Sequence, residues 1–246
     1  IVGPNASGKT SILEAIAYLG RGKSFRGAPV QKLVTHGQSE FILFGEIQVG
    51  NLTRRVGVKN GRGGLEASVD GESGSGASLA QALPLQIIDP DVHDIVGGPP
   101  EARRRHLDWL GFHVEPGYLG LWQRFRRALK QRNAVLKSVP RPAELQSWDV
   151  ELADAGEKLD VLRADLFIRL QPSLEQATTR LRDGTFAFEY RRGWSSEQSL
   201  ISALEEHRLR DVNQASTSVG PQRADLAVKY DDRQARKLVS RGQQKL

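Results

Sequence analysis

The chain has 246 residues, enough for one large domain or two modest ones with a substantial core. Without cysteine it excludes disulfides and thiolate metal sites, and its apolar runs fall far short of the ~20 residues that cross a bilayer. A net charge of +6 at pH 7 points towards a polyanionic partner, and the absence of a signal-peptide pattern predicts a soluble protein of the reducing cytoplasm.

The first element in chain order is also the most specific. Gly3-Pro4-Asn5-Ala6-Ser7-Gly8-Lys9-Thr10 fits G-x-x-x-x-G-K-[ST], the phosphate-binding loop of nucleotide triphosphatases. Gly3 and Gly8 allow backbone conformations in which successive N–H groups point at one anion. Lys9 supplies an ammonium for the β- and γ-phosphates, and Thr10 a hydroxyl ligand for Mg²⁺. Residues 11–19 read as a helix whose positive N-terminal dipole faces the same phosphates. A glycine-rich turn before a helix is the plain alternative, but the motif predicts binding of ATP or GTP. The chain has no Met and opens on Ile1-Val2, which reads as the end of the strand feeding the loop. Upstream residues are therefore expected to be missing.

A basic glycine-rich loop follows at residues 20–26. Residues 41–49 and 53–58 alternate as strands joined at Gly50-Asn51, Asn60-Gly61 is a hairpin-turn signal, and a third strand is predicted over 65–69. Residues 71–78 read as a loop, and 85–88 as a short buried strand ending at Asp89-Pro90-Asp91. Residues 118–137 predict a helix with Trp122, Phe125, Leu129 and Leu136 close to one face. It carries Arg124, Arg126, Arg127, Lys130, Arg132 and Lys137 and no acid. Leu145, Trp148, Leu152, Ala155, Leu159, Leu162 and Leu166 form a heptad seam, best read as a helix packed within its own domain. Pro172 is expected to kink or end it, and Asp183-Gly184 to close the region. A strand over 185–190, a helix over 197–210, a strand over 226–230 and the opening of a helix over 239–246 complete the chain. No internal repeat is present.

Six blocks, in order, carry a family resemblance: residues 3–16, Gly22-Lys23-Ser24-Phe25-Arg26, residues 98–108, residues 128–136, Gly220-Pro221-Gln222-Arg223-Ala224-Asp225-Leu226, and Ser240-Arg241-Gly242-Gln243-Gln244-Lys245. Together they resemble the RecF family of bacterial recombination mediators, over essentially the whole chain. The resemblance implies an α/β fold, an ABC-type ATPase head truncated here at both ends. Residues 1–98 would hold the phosphate loop and β-structure of lobe I, and 99–183 a helical lobe II. Residues 184–246 would be a returning β/α segment that ends at the ABC signature. It further implies ATP and Mg²⁺ as cofactors and an ATP-dependent homodimer that holds DNA at single-stranded/double-stranded gap junctions. RecR and RecO would be the partners in loading RecA, with slow hydrolysis used as a switch.

The resemblance assigns Ser240, Arg241, Gly242 and Gln243 to the signature. The Ser240 hydroxyl, the Gly242 N–H and a helix start would form a second anion site. In the family that site meets the phosphate loop of the other subunit. The acidic residues that follow the signature strand do not occur in this sequence. The chain is therefore expected to hydrolyse little or no ATP, and the full-length protein to be a weak ATPase. Gln222 stands where the family often has His, and Gln86 reads as a strand residue rather than a metal-bridging glutamine.

Smaller signals have two readings each. Arg26 would reach nucleotide phosphates, or be a solvated charge. Arg103, Arg104 and Arg105 would contact DNA, or pair with acids such as Glu101 and Asp108 and tie helix to sheet. Arg124, Arg127 and Lys130 are candidate DNA contacts on the acid-free helix, where self-repulsion calls for a polyanion or for nearby acids; the Gln131-Arg132-Asn133 stretch has a structural reading. Asp89 and Asp91 would lie near the nucleotide, or simply end a strand. His36, His93, His106, His113 and His207 have no metal-ligand spacing. A Rad50 or SMC head would need longer heptad arms, a transporter ATPase a Leu-Ser-Gly-Gly-Gln signature nearer the loop, and a P-loop kinase acceptor-binding residues. A DNA-binding module without enzymatic activity stays open as well.

Overall fold

The alternation of apolar and polar residues over 41–58 becomes a hairpin, as its period requires. The computed structural model describes residues 1–88, 94–138, 142–179, 185–231 and 233–235. The chain divides into two units, Ile1–Asp89 and Pro90–Leu246. The first contains α1 (Lys9–Arg21), β1 (Glu40–Val49), β2 (Leu52–Gly61), β3 (Gly64–Val69), β4 (Glu72–Gly74) and α2 (Gly76–Ala82). Its strands form an antiparallel sheet in the order β1-β2-β3-β4. Tyr18 and Leu19 of α1, Val56 and Val58 of β2, and Leu79 and Ala82 of α2 form its core. Phe41 meets Tyr18 edge to face at 5.0 Å.

The first turn lies at Gly50-Asn51, with Val49 opposite Leu52. The second does not lie at Asn60-Gly61. Gly61 pairs with Gly64, so the turn is Arg62-Gly63. Asn60 is held in β2 because its side chain is buried and used: Nδ2 donates to the Tyr18 hydroxyl at 2.8 Å, and Oδ1 accepts from the Gly61 N–H at 2.8 Å. Gly64, at φ 89°, supplies the left-handed residue that the turn needs. Residues 71–78 also differ from the expected loop. They form β4 and the start of α2, which the side chains of Ser75 and Ser78 open with a capping box. Residues 85–88 pair with no strand among the described residues, and Ile88 is 77% exposed.

The second unit contains α3 (Asp94–Gly97), α4 (Pro100–Val114), α5 (Tyr118–Lys137), α6 (Pro142–Thr178), β5 (Phe186–Arg191), α7 (Leu200–Glu206), α8 (Arg208–Gln214), β6 (Asp225–Tyr230) and β7 (Arg233–Gln234). The strands make an antiparallel sheet in the order β5-β6-β7. The heptad seam faces its own unit: Leu152, Ala155, Leu159 and Leu166 are buried with Tyr118, Phe125 and Ala128 of α5. Pro172 neither ends nor bounds α6, which continues to Thr178. Both Pro172 and Ile168, whose carbonyl loses its helical donor to the proline ring, are exposed residues. The helix expected over 197–210 is two helices. Ser199 caps the N-terminus of α7, and the chain breaks at His207 before α8. Asp183-Gly184, Asp89, Asp91, His93 and residues 239–246 lie outside the described residues.

Buried arginines tie these helices together. Arg132 of α5 is fully buried. Its Nε donates to Asp149 of α6 at 2.6 Å, and its Nη1 donates to Asp211 of α8 at 2.7 Å and to the Thr217 hydroxyl at 2.9 Å. Arg163 of α6 donates to Asp108 of α4 at 2.7 Å and to the carbonyl of Pro221 at 2.8 Å. Burial pushes the Tyr118 hydroxyl, which donates to the same Asp108 at 2.5 Å, well above the usual phenol range. Removing one member of a buried pair strands the other, at about 3–5 kcal/mol, whereas an exposed pair contributes about 0–1 kcal/mol. Arg132→Met is therefore expected to lose several times more stability in denaturant unfolding than Arg124→Ala, whose ion pairs face solvent. Equal losses would contradict the structural role given to Arg132.

Candidate functional site

The glycine-lysine motif folds into an exposed loop that feeds directly into α1. Gly8 is the residue before the helix, at φ 83° and ψ 6°, a left-handed conformation that a side chain resists. Ala6 is left-handed as well, at φ 63°. The loop is closed by the Ser7 N–H on the Pro4 carbonyl at 3.3 Å, and the helix by the Ile12 N–H on the Gly8 carbonyl at 3.0 Å. No side chain caps α1. Its first-turn N–H groups are thus left to solvent or to an anion, at the end that carries roughly half a positive charge.

Lys9 folds back over the loop. Its Nζ donates to the carbonyls of Gly3 at 2.7 Å and Pro4 at 2.5 Å, which places the ammonium across residues 3–8. Thr10, on the first turn of α1, is exposed. Uncapped amides, an adjacent ammonium and a free hydroxyl suit a polyphosphate with its divalent cation. Gly3, Pro4, Asn5, Ala6, Ser7, Gly8, Lys9 and Thr10 are the residues that would hold such a ligand. The signature residues Ser240, Arg241, Gly242 and Gln243 lie outside the described residues.

Beside α1 runs an open cleft of about 660 Å³. Ser11, Glu14, Ala15 and Tyr18 form its helical wall, and Arg26, Lys32 and Phe41 stand among the facing residues. Arg26 belongs to a turn organised by Ser24, whose Oγ accepts from the N–H of Arg26 at 3.1 Å and of Ala28 at 3.2 Å and donates to Glu14. Sequence reasoning missed Glu14 and Ser24. The available signal was a lone glutamate within the apolar run of residues 12–19 of that helix.

The cations of α5 separate into structural and exposed groups. Arg132 is buried, as described above. Arg124 makes a two-pronged contact with Glu151, at 2.7 and 2.6 Å, and a 2.7 Å bond to Asp154. Hydrogen bonding to Glu151 holds the Arg124 guanidinium well above the usual arginine range. Its charge is therefore neutralised within the chain. Arg127, Lys130 and Lys137 are exposed and form no ion pair among the described residues, and Arg126 lies over the Trp122 ring at 5.3 Å.

Arg103 and Arg104 tie helix to sheet. Arg103 bonds Asp225 of β6 at 2.7 and 3.1 Å, and the carbonyls of Ile95 and Gly98; Arg104 donates to the Ala224 carbonyl at 2.6 Å. Neither forms an ion pair with Glu101 or Asp108, the acids nearest in sequence; Asp108 is taken by Arg163. Arg105 is exposed. Gln222 donates to the Val219 carbonyl at 2.6 Å, and Gln86 is exposed outside any strand. Among the described residues no cluster of His, Asp or Glu is arranged to hold a metal.

Relatives with curated names match this chain along its length. The chain is 39% identical over 251 residues to "DNA replication and repair protein RecF" of Pseudomonas aeruginosa (strain LESB58), covering 100% of this chain and 68% of that protein. The same-named protein of Erwinia tasmaniensis is 38% identical over 249 residues, covering 100% and 69%. The chain belongs to the RecF family. No family model matches it. Its fold is that of solved RecF structures. One, described as the recombination mediator protein RecF-ATP in the RecFOR pathway, aligns with a TM-score of 0.87 at 23% identity over 98% of this chain and 69% of the other. A RecF-ATPrS structure aligns with a TM-score of 0.85, again at 23% identity, over 98% and 70%. The α/β head expected from the sequence is the RecF fold. No described helix is long and apolar enough to cross a membrane.

Proposed function

We propose that this RecF-family chain acts in DNA replication and repair as an ATP-gated DNA-binding protein. ATP with Mg²⁺ occupies the loop at residues 3–10. The uncapped start of α1 beside Lys9 is the observation that carries this reading, because it is an anion site with no partner from a side chain. The γ-phosphate then favours a homodimer, whose second copy brings Ser240 to Gln243 to the same nucleotide. Binding that depends on the γ-phosphate shifts the monomer–dimer equilibrium only by the difference in affinity between the two states. The nucleotide therefore works as a switch. In this reading the protein acts in the cytoplasm with RecR and RecO at single-strand gaps, where it helps load RecA. The RecFOR setting of its solved relatives supports those partners.

DNA meets the exposed face of α5 through Arg127 and Lys130, beside Arg126 and Lys137. Arg124, committed to Glu151 and Asp154, contributes little. Exposed cations that neutralise phosphates release counterions, so affinity falls steeply with salt.

Two outcomes are expected. In sedimentation and fluorescence-anisotropy titrations with a gapped duplex, ATP promotes dimerisation and DNA binding, ADP does not, and Lys9→Met abolishes the difference. Identical oligomeric states and DNA affinities with ATP and ADP would sink the switch. Arg127→Ala and Lys130→Ala each lower the salt slope of DNA binding by about 1, whereas Arg124→Ala leaves it nearly unchanged. If Arg124→Ala had the largest effect, the face would be assigned wrongly.

A further inference from the structure

The turn that follows α1 is pinned to that helix through one hydroxyl. Glu14 lies on the second turn of α1 and is only 9% exposed. Its carboxylate accepts from Ser24 Oγ, and the same oxygen accepts the N–H groups of Arg26 and Ala28, at 3.1 and 3.2 Å. A serine hydroxyl has one proton and two acceptor sites, and here all of them are used. The acceptor Glu14 fixes the direction of the proton, which leaves the lone pairs for the two backbone donors. The turn at 24–28 is thereby locked onto the helix that begins at the phosphate loop.

Stability alone is a poor reason for this arrangement. Withdrawing a carboxylate from water to meet a neutral hydroxyl costs desolvation that an apolar residue would avoid. What the lock does achieve is placement. It keeps Arg26 on the wall of the cleft that opens beside Ser11, the residue directly after Thr10. An arginine on an unheld glycine-rich loop would lose rotamer and backbone entropy on meeting a ligand; one on a locked turn loses less.

We infer that Glu14 and Ser24 are positioning residues for the nucleotide, holding the turn that presents Arg26 to the phosphates at the start of α1. The inference rests on the reading of residues 3–10 as an ATP site. Glu14 and Ser24 act through Arg26 and touch no ligand themselves.

A double-mutant cycle tests this, with equilibrium binding of a fluorescent ATP analogue and Mg²⁺ to the purified protein. Arg26→Ala is expected to weaken binding roughly tenfold, the scale of one charge-assisted hydrogen bond. Ser24→Ala and Glu14→Ala are expected to weaken it severalfold in the wild-type background and to add nothing once Arg26 is alanine. Ser24→Thr, which keeps the hydroxyl, restores binding. A general loss of structure would lower affinity equally with or without Arg26, and such additive effects overturn the inference. So does wild-type affinity in Ser24→Ala or Arg26→Ala. If Lys9→Met bound the analogue as tightly as the wild type, the ATP reading of the loop would fall and the inference with it. Tight wild-type binding lost in Lys9→Met, but untouched in the Ser24 and Glu14 variants, would overturn the positioning role alone.

Discussion

A single guanidinium holds much of the second unit in register. Arg132 is enclosed between Asp149 and Asp211, with Thr217 on the same nitrogen as Asp211, so α5, α6, α8 and the segment beyond α8 share one buried centre. Arg208 adds a second positive charge on Asp149 at 2.9 Å. Arginine does not deprotonate in a protein and its donors form a rigid fork. The fork therefore fixes where its two aspartates and the threonine hydroxyl must stand, which makes the junction directional in a way that leucine packing is not. Arg163 with Asp108 and Arg103 with Asp225 repeat the device between α6 and α4 and between α4 and β6.

This constraint decides how the basic character of the chain is to be understood. Positive charge on α5 looks uniform along the helix, yet its inner members close the fold and its outer members face water. Only the outer set is available to a polyanion. The ion pairs of the first unit lie on its exposed strand faces, and its phosphate loop rests on backbone geometry instead. A left-handed Gly8 turns the chain into α1 without a side-chain cap, and first-turn amides open to solvent at the positive end of the helix dipole make that start attractive to phosphate. Lys9, meanwhile, is held by two loop carbonyls, so its ammonium is already close to where an anion would bind.

Local rules were legible wherever the residues that set an element are neighbours. The hairpin at Gly50-Asn51, the bounds of α5 and the inward face of the α6 seam follow from periodicity and turn chemistry, and the phosphate loop from residue types that few other structures require. Failures came where a distant partner decides. Asn60 resembles a turn residue until the Tyr18 hydroxyl claims its amide. Leu85 to Ile88 have strand composition but no strand to pair with among the described residues. Arg103 finds its acid on β6 and not on its own helix. The Glu14–Ser24 lock joins positions ten apart across a helix end, a contact that no period encodes. The signature at Ser240 to Gln243 was read from family resemblance, and its geometry lies outside the described residues.

In the proposed function the phosphate loop is half of a site completed by a second copy of the chain. Mixing two defective proteins tests it most directly. Lys9→Met removes the loop half, and Ser240→Arg blocks the signature half. Each alone should fail to dimerise with ATP in sedimentation. Their mixture should recover dimers, because one of the two composite sites in a heterodimer joins an intact loop to an intact signature. A mixture that stays monomeric with ATP, under conditions where the wild type dimerises, would contradict a site shared between subunits.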